Sequence, residues 1–392
     1  MSSRASLKSL RAGKNALETL SLPVGLTQRR CLSSTAPQAS SVINFRTNKN
    51  PELKEVLSTI REKIILPAYL PADQQAKIYN ANYKQKLLDD PITMEVDGEE
   101  VRFGYVDRYK LPNTKKAVVS ALNAMKTPTD FLNLPTLLEG LRLAHRKVSY
   151  DLHEKMIRRA CVNGCIAVIL ECVKQVKRTG FTLETSQAIN ELLVWIQKEA
   201  LDSDWDKKET ERALRRTQSV LEMLEADPLH QPAKDPKLKA LRRFPFYRDP
   251  QILAARLHMA AALAVKHQAG HDADGKVAKY AQELVRLWPK EAGLLELHPE
   301  EAYARQHDTE MRYLLNRNAF LWFASPVLNG LRLAAQVVEP ALAKELLERA
   351  ANVEKQVQSA LAQQAATEGG AAGGRGLNLY NELCGPQASA AV

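Results

Sequence analysis

Residues 234–250, KDPKLKALRRFPFYRDP, combine Lys234, Lys237, Lys239, Arg242, Arg243 and Arg248 with Phe244, Phe246 and Tyr247. Cations on long stems neutralise phosphates, and exposed rings or guanidinium planes stack on unpaired bases, so this mixture suits irregular RNA. The same residues admit a second use, in which the rings plug a junction between two helices while the cations stay solvated. Pro245 and Pro250 favour an extended, exposed path whereas aromatic rings prefer burial, and both uses stay open at this level.

Further cations recur between residues 142 and 248: Arg142, His145, Arg146 and Lys147, then Arg158 and Arg159, then Lys174, Lys177 and Arg178, then Arg212, Arg215 and Arg216. Arg142 with Arg146, and Arg212 with Arg216, are four apart and share a helix face. A single cluster of this kind is an ordinary wet face, but its recurrence leads to the expectation of a continuous basic surface. The candidates for RNA contact are therefore Lys237, Lys239, Arg242, Arg243, Phe246, Tyr247 and Arg248, together with Arg142, Arg146, Lys174, Lys177 and Arg178.

Other chemistries find less support. Cys161, Cys165 and Cys172 with His153 make one loose pair where a zinc site shows two tight ones, and cysteine at apolar helical positions is a small core residue. No Gly-rich phosphate loop, Gly-x-Ser-x-Gly or His-Glu-x-x-His is present. His153-Glu154 and His307-Asp308 are neighbours in sequence, so on a helix they diverge. Asp272 and Asp274 lack the other positions of a calcium loop. No catalytic residue, cofactor, metal or small-molecule substrate is expected, and a disulfide scaffold is not indicated.

The elements that must carry these residues are almost all helices. Apolar residues at Leu53, Val56, Leu57, Ile60, Ile64 and Ile65 mark a stripe ending at Pro67. Residues 91–108 change period: Asp97-Gly98 is a two-residue turn signal between Ile92, Met94, Val96 and Val101, Phe103, Tyr105, which predicts one β-hairpin. From residue 113 helices are expected over 114–125, 129–147, 150–162, 166–178, 183–200, 206–226, 250–268, 275–287, 299–323 and 328–363. The fold class is mainly α, a helical-hairpin (α-solenoid-like) array with one small β-hairpin near the N-terminal side. The apolar stretch 319–342 is broken by Pro326, Asn329, Arg332 and Pro340, so a buried or partner-facing helix pair is expected there and no membrane span.

Charge and composition divide the chain. Residues 1–32 hold six cations and the single acid Glu18, so they carry +5 of the net +10. This is the composition of a mitochondrial transit peptide, and Arg30-Cys31-Leu32 before Ser33-Ser34 resembles the matrix processing site. Residues 33–290 carry +9 and the remainder is acidic, which directs any anionic partner to the middle of the chain. The organisation is a transit peptide (1–32), an extended lead-in (33–50), a helix plus hairpin region (51–112), a helical domain (113–363) and a flexible tail (364–392).

Residues 149–184 run helix, Gly turn, helix, then Lys177-Arg178-Thr179-Gly180, over a length close to that of helical-hairpin repeats. The VKQVKRTGFTLET portion resembles a degenerate pentatricopeptide unit, with residues 185–226 as a looser second one. The RRCLSST leader, the stretch YLPADQQAKIYNANYKQKLLDDPITMEVDGEEVRF and the repeat-like helices together resemble the lineage-specific helical proteins of the fungal mitochondrial ribosome. That resemblance implies a structural role in the matrix, binding ribosomal RNA and neighbouring ribosomal proteins. Two alternatives are a ribosome-associated translation activator and an assembly factor for a respiratory complex.

Overall fold

The structure, a computed structural model, describes residues 42–47, 49–96, 99–230, 242–303, 311–367 and 374–385. The leader, the Asp97-Gly98 turn, Lys234, Lys237 and Lys239 lie outside the described residues. The first helix, α1 (Pro51–Ile60), starts where the Asn50 side chain accepts the amides of Glu52 and Leu53 and Pro51 occupies the first turn. It continues through a π turn (Arg61–Ile65) and a 3-10 turn (Leu66–Tyr69), and buries Leu53, Leu57, Ile60, Ile64 and Ile65. The preceding segment lies along this body. The Ile43 amide donates to the Tyr69 hydroxyl at 3.1 Å, its carbonyl accepts from Arg61 at 3.0 Å, and Asn133 accepts from the Arg46 amide at 2.7 Å.

Two short helices, α2 (Ala72–Ile78) and α3 (Lys84–Asp89), lead to the hairpin of β1 (Ile92–Val96) and β2 (Glu99–Phe103). The strands pair antiparallel with Ile92 opposite Phe103 and Met94 opposite Val101. A lone hairpin is marginal in water. Phe103 is buried here, and the Val106 amide donates to the Ile78 carbonyl at 2.8 Å, which ties the hairpin to α2.

The remaining helices are α4 (Thr114–Ala124), α5 (Pro128–Phe131), α6 (Leu134–Leu143), α7 (Tyr150–Val162), α8 (Ile166–Lys174), α9 (Val176–Thr179), α10 (Ser186–Asp202), α11 (Lys207–Ala226), α12 (Pro250–His267), α13 (Lys276–Leu287), α14 (Arg317–Ala335), α15 (Pro340–Thr367) and α16 (Arg375–Cys384). Expected boundaries are corrected in three stretches. The single helix expected over 129–147 is split because Thr127 and Asp130 form a reciprocal capping box around α5, and Pro135 restarts the chain in the first turn of α6. The helix expected over 166–178 breaks at Gln175, whose φ and ψ of −100° and 42° leave the helical region. The helix expected over 299–323 begins only at Arg317, and in place of the break expected between residues 323 and 328 α14 runs through Pro326. The turn comes instead at residues 336–339, and Pro340 begins α15, where a missing amide costs nothing.

Buried side chains from α1 and from every helix from α4 onward except α9 form one hydrophobic cluster, with Trp288, Trp322, Phe131, Phe181 and Phe246 its largest fully buried members. Helix α14 is covered by α12, α15 and α16 of this same chain, so its apolar stretch is interior, and among the described residues no helix is long and apolar enough to cross a membrane. Cys161, Cys165 and Cys172 are free thiols in the core, and burial pushes Cys172 up to about 12.

Candidate nucleic-acid interface

The segment 242–250 divides residue by residue between its two possible uses. Phe246 is 1% exposed, and the Arg242 guanidinium lies 4.2 Å above its ring while donating to the Glu184 carbonyl at 3.3 Å. Burial lowers Arg242 to about 10, against the opposing pull of the buried Asp249 carboxylate. A 3-10 turn (Phe246–Arg248) and the Asp249 cap of α12 fix this arrangement, with the Asp249 carboxylate accepting the Gln251 amide at 2.9 Å. Phe246 therefore cannot stack on a base, a correction to its candidacy that follows from α11 and α12 packing over the turn that carries it. Arg243 and Arg248 remain on the surface, with Tyr247 half-buried beside Arg248.

Several other candidate cations are engaged within the chain. Arg142 donates from Nη1 to the Val176 carbonyl at 2.8 Å, which ties α6 to α9. Arg178 holds Glu139 at 2.6 Å and Glu171 at 3.2 Å. Arg158 faces Glu191, Arg212 faces Glu209, Arg215 faces Glu211 and Arg216 faces Glu199. A carboxylate beside a cation cancels much of its field toward a phosphate, so the basic face is narrower than the sequence predicts. Lys174 and Lys177 are exposed on α8 and α9.

Of the cations left exposed, Arg146 and Lys147 lie together on the connection between α6 and α7. Helix α6 closes with the Arg146 amide donating to Leu141 at 2.8 Å and with His145 in the left-handed region at φ 53°. The loop that follows projects Arg146 and Lys147 into solvent. Arg146 is a wall between two clefts. One, of about 560 Å³, is also lined by Tyr79, Arg108 and Leu111. The other, of about 680 Å³, is lined by Arg142, Lys147, Tyr150 and His153 among others.

Sequence reasoning missed the aromatic member of this surface. Asp107 accepts the Tyr109 amide at 3.0 Å and caps a 3-10 turn (Arg108–Lys110), which leaves Tyr109 99% exposed between two cations. The available signal was DRYKLP, a ring between two bases in a capped turn that ends before a proline. An exposed ring flanked by cations, continuous with a second pair of cations across a cleft, can stack a base while neutralising the phosphates on either side.

Gly180 terminates α9 at φ +69°, with its amide bonded to the Val176 carbonyl at 2.7 Å, and it lines the larger cleft. A side chain there adopts a left-handed conformation at a cost of about 1–2 kcal/mol. Gly180→Ala is expected to destabilise the chain by that amount, read as a lower urea midpoint at unchanged slope.

Comparison with known proteins follows this architecture. The family model described as mitochondrial ribosomal protein mS27 matches residues 30–382. A curated relative from Neurospora crassa, small ribosomal subunit protein mS27, is 43% identical over 380 residues, which span 92% of this chain and 95% of the relative. With most of its length matched by the family model and by a relative of nearly equal extent, the chain belongs to the mitochondrial ribosomal protein mS27 family.

Proposed function

We propose that this protein is a structural component of the small subunit of the mitochondrial ribosome, located in the matrix and bound to ribosomal RNA and neighbouring ribosomal proteins. The observation that carries this reading is the match to a relative named as a small-subunit protein over almost the whole of both chains. The surface assigned to RNA is the rim formed by Arg108, Tyr109, Lys110, Arg146 and Lys147, extended by the exposed Lys174 and Lys177. Arg243 and Arg248, exposed on the segment 242–250, supplement it, and Lys237 and Lys239 stay candidates by sequence alone. The role is that of a scaffold and not of a catalyst, since ribosomal proteins of this kind act through the surfaces they join.

Residues 1–32 serve as the import leader, consistent with a family match that begins at residue 30. Protein isolated from mitochondria is expected to start at Ser33 or Ser34, and amino-terminal peptide mass spectrometry checks this; an intact Met1 on the matrix protein would remove the leader from the proposal. The ribosomal role is tested by sucrose-gradient fractionation of mitochondrial lysate at moderate and high salt, with and without RNase. Stoichiometric migration with the small subunit through high salt is the expected result. Migration as a small free species, or with membrane complexes after RNase, would overturn it.

A further inference from the structure

The larger cleft beside Arg146 has features that a general phosphate-binding surface does not need. Its volume of about 680 Å³ falls within the ~300–1,000 Å³ of small-molecule sites. At its base sits His153, 3% exposed, and neither Nδ1 nor Nε2 has a hydrogen-bond partner. Phe181 stacks on one face of the imidazole, with centroids 4.4 Å apart and the planes 24° from parallel, which fixes the ring in orientation.

Burial lowers His153 to about 4, although the Glu184 carboxylate and the Thr182 backbone both favour the charged ring without reaching hydrogen-bonding geometry. The imidazole is therefore neutral at pH 7 and holds one donor and one acceptor just beneath the cleft floor, where a guest reaches them once the covering side chains part. Leaving such groups unmatched in the interior is costly, which points to a guest that supplies a complementary edge.

The mouth of the cleft has a different character. Tyr150, 43% exposed, stands against the Glu184 carboxylate, whose interaction with the phenol, together with burial, raises it to about 12. Arg146 and Lys147 form the cationic lip, and the first amides of α7 open beside them, since the Ser149 side chain makes no capping bond. A flat guest with a hydrogen-bonding edge and an anionic end fits this order of groups from floor to lip.

We propose that the cleft takes one unpaired nucleotide of the ribosomal RNA, its base edge turned to His153 and its phosphate against Arg146 and Lys147. The inference deepens the ribosomal reading and rests on it. Glu184, whose carboxylate acts on the His153 ring, accepts from an exocyclic amine on that same edge, so adenine, cytosine or guanine is favoured over uracil.

The test uses intact ribosomes carrying His153→Phe, which keeps a ring against Phe181 and removes both nitrogens. Incorporation is measured by mass spectrometry, and the RNA is probed with dimethyl sulfate and with a 2′-hydroxyl acylating reagent. The expected result is loss of protection at one nucleotide or its immediate neighbour, with the rest of the footprint unchanged. A variant that incorporates stoichiometrically with a wild-type profile would overturn the pocket while leaving the ribosomal role intact. If His153→Phe fails to incorporate, Arg146→Gln with Lys147→Gln provides the second measurement, since both side chains are exposed. A nucleotide deprotected by that pair supports the proposal, and an unchanged profile overturns it. In calorimetry of the purified full chain, AMP or CMP displaced by single-stranded RNA supports an RNA guest. AMP or CMP that RNA cannot displace would assign the cleft to a free nucleotide and overturn the proposal. Failure of the wild-type chain to migrate with the small subunit would remove the underlying ribosomal reading instead.

Discussion

Arg375→Ala is expected to lower the unfolding free energy by about 3 kcal/mol and to loosen α16 before the rest of the fold. The Glu191 side chain is 1% exposed, and Arg375 meets it with two parallel bonds, Nη1 to Oε1 at 2.5 Å and Nη2 to Oε2 at 2.9 Å. The same guanidinium lies 4.5 Å over the Trp322 ring. Without it, Glu191 retains, among the described residues, only the Arg158 Nε at 3.3 Å and the Trp195 Nε1 at 3.1 Å, too little to offset a buried carboxylate. The loss falls at the lower end of the ~3–5 kcal/mol cost of breaking a buried pair, because these two donors remain.

Helix α16 feels the change first because its seat is close and specific. The Gly376 amide donates to Asn318 Oδ1 at 2.7 Å, and a Cβ on Gly376 would stand 2.0 Å from the Asn318 carbonyl oxygen. Hydrogen exchange of amides 377–384 should accelerate before global unfolding does. Adding Glu191→Gln to Arg375→Ala is expected to restore about 1–2 kcal/mol, since a lone amide is cheaper to bury than a lone carboxylate. A loss below about 1 kcal/mol with unchanged exchange in α16 would show that Arg375 is only a surface ligand of Glu191.

The second large effect concerns RNA. Replacing Arg108, Lys110, Arg146 and Lys147 with glutamine should reduce the slope of log affinity against log salt for single-stranded RNA by about 3, at roughly 0.7 per phosphate contact. The comparison set is Arg212→Gln with Arg215→Gln, whose charges already face Glu209 and Glu211, and little change of slope is expected there. Tyr109→Ala acts through stacking and should weaken binding by about 1–3 kcal/mol while leaving the slope unaltered. Equal slope changes in the two sets of cations would mean that the α6–α7 rim is not where phosphates are neutralised.

How much of this was legible beforehand depended on the range of the interactions involved. The 3.6-residue apolar period, the two-residue alternation of the hairpin strands and the basic leader are local patterns, so the sequence alone determined a mainly α chain with one hairpin and a positive middle. Which cations stay free is a different kind of question. Arg178 is matched by Glu139 thirty-nine positions away and Arg375 by Glu191 at a separation of 184, and no window of neighbouring residues holds both partners.

The aromatic residues repeat the lesson. Phe246 and Tyr109 both occupy 3-10 turns between basic residues, yet one is buried and the other fully exposed. Only packing of distant helices over one ring and not the other separates them. Pro326 likewise looked like a break because its own amide is missing, while the buried face of α14 against α12, α15 and α16 holds the helix together through it. Local periodicity thus determined the elements and the sign of the surface. Tertiary structure decided which side chains remained available on it, because burial and ion pairing are settled by residues far apart in the chain.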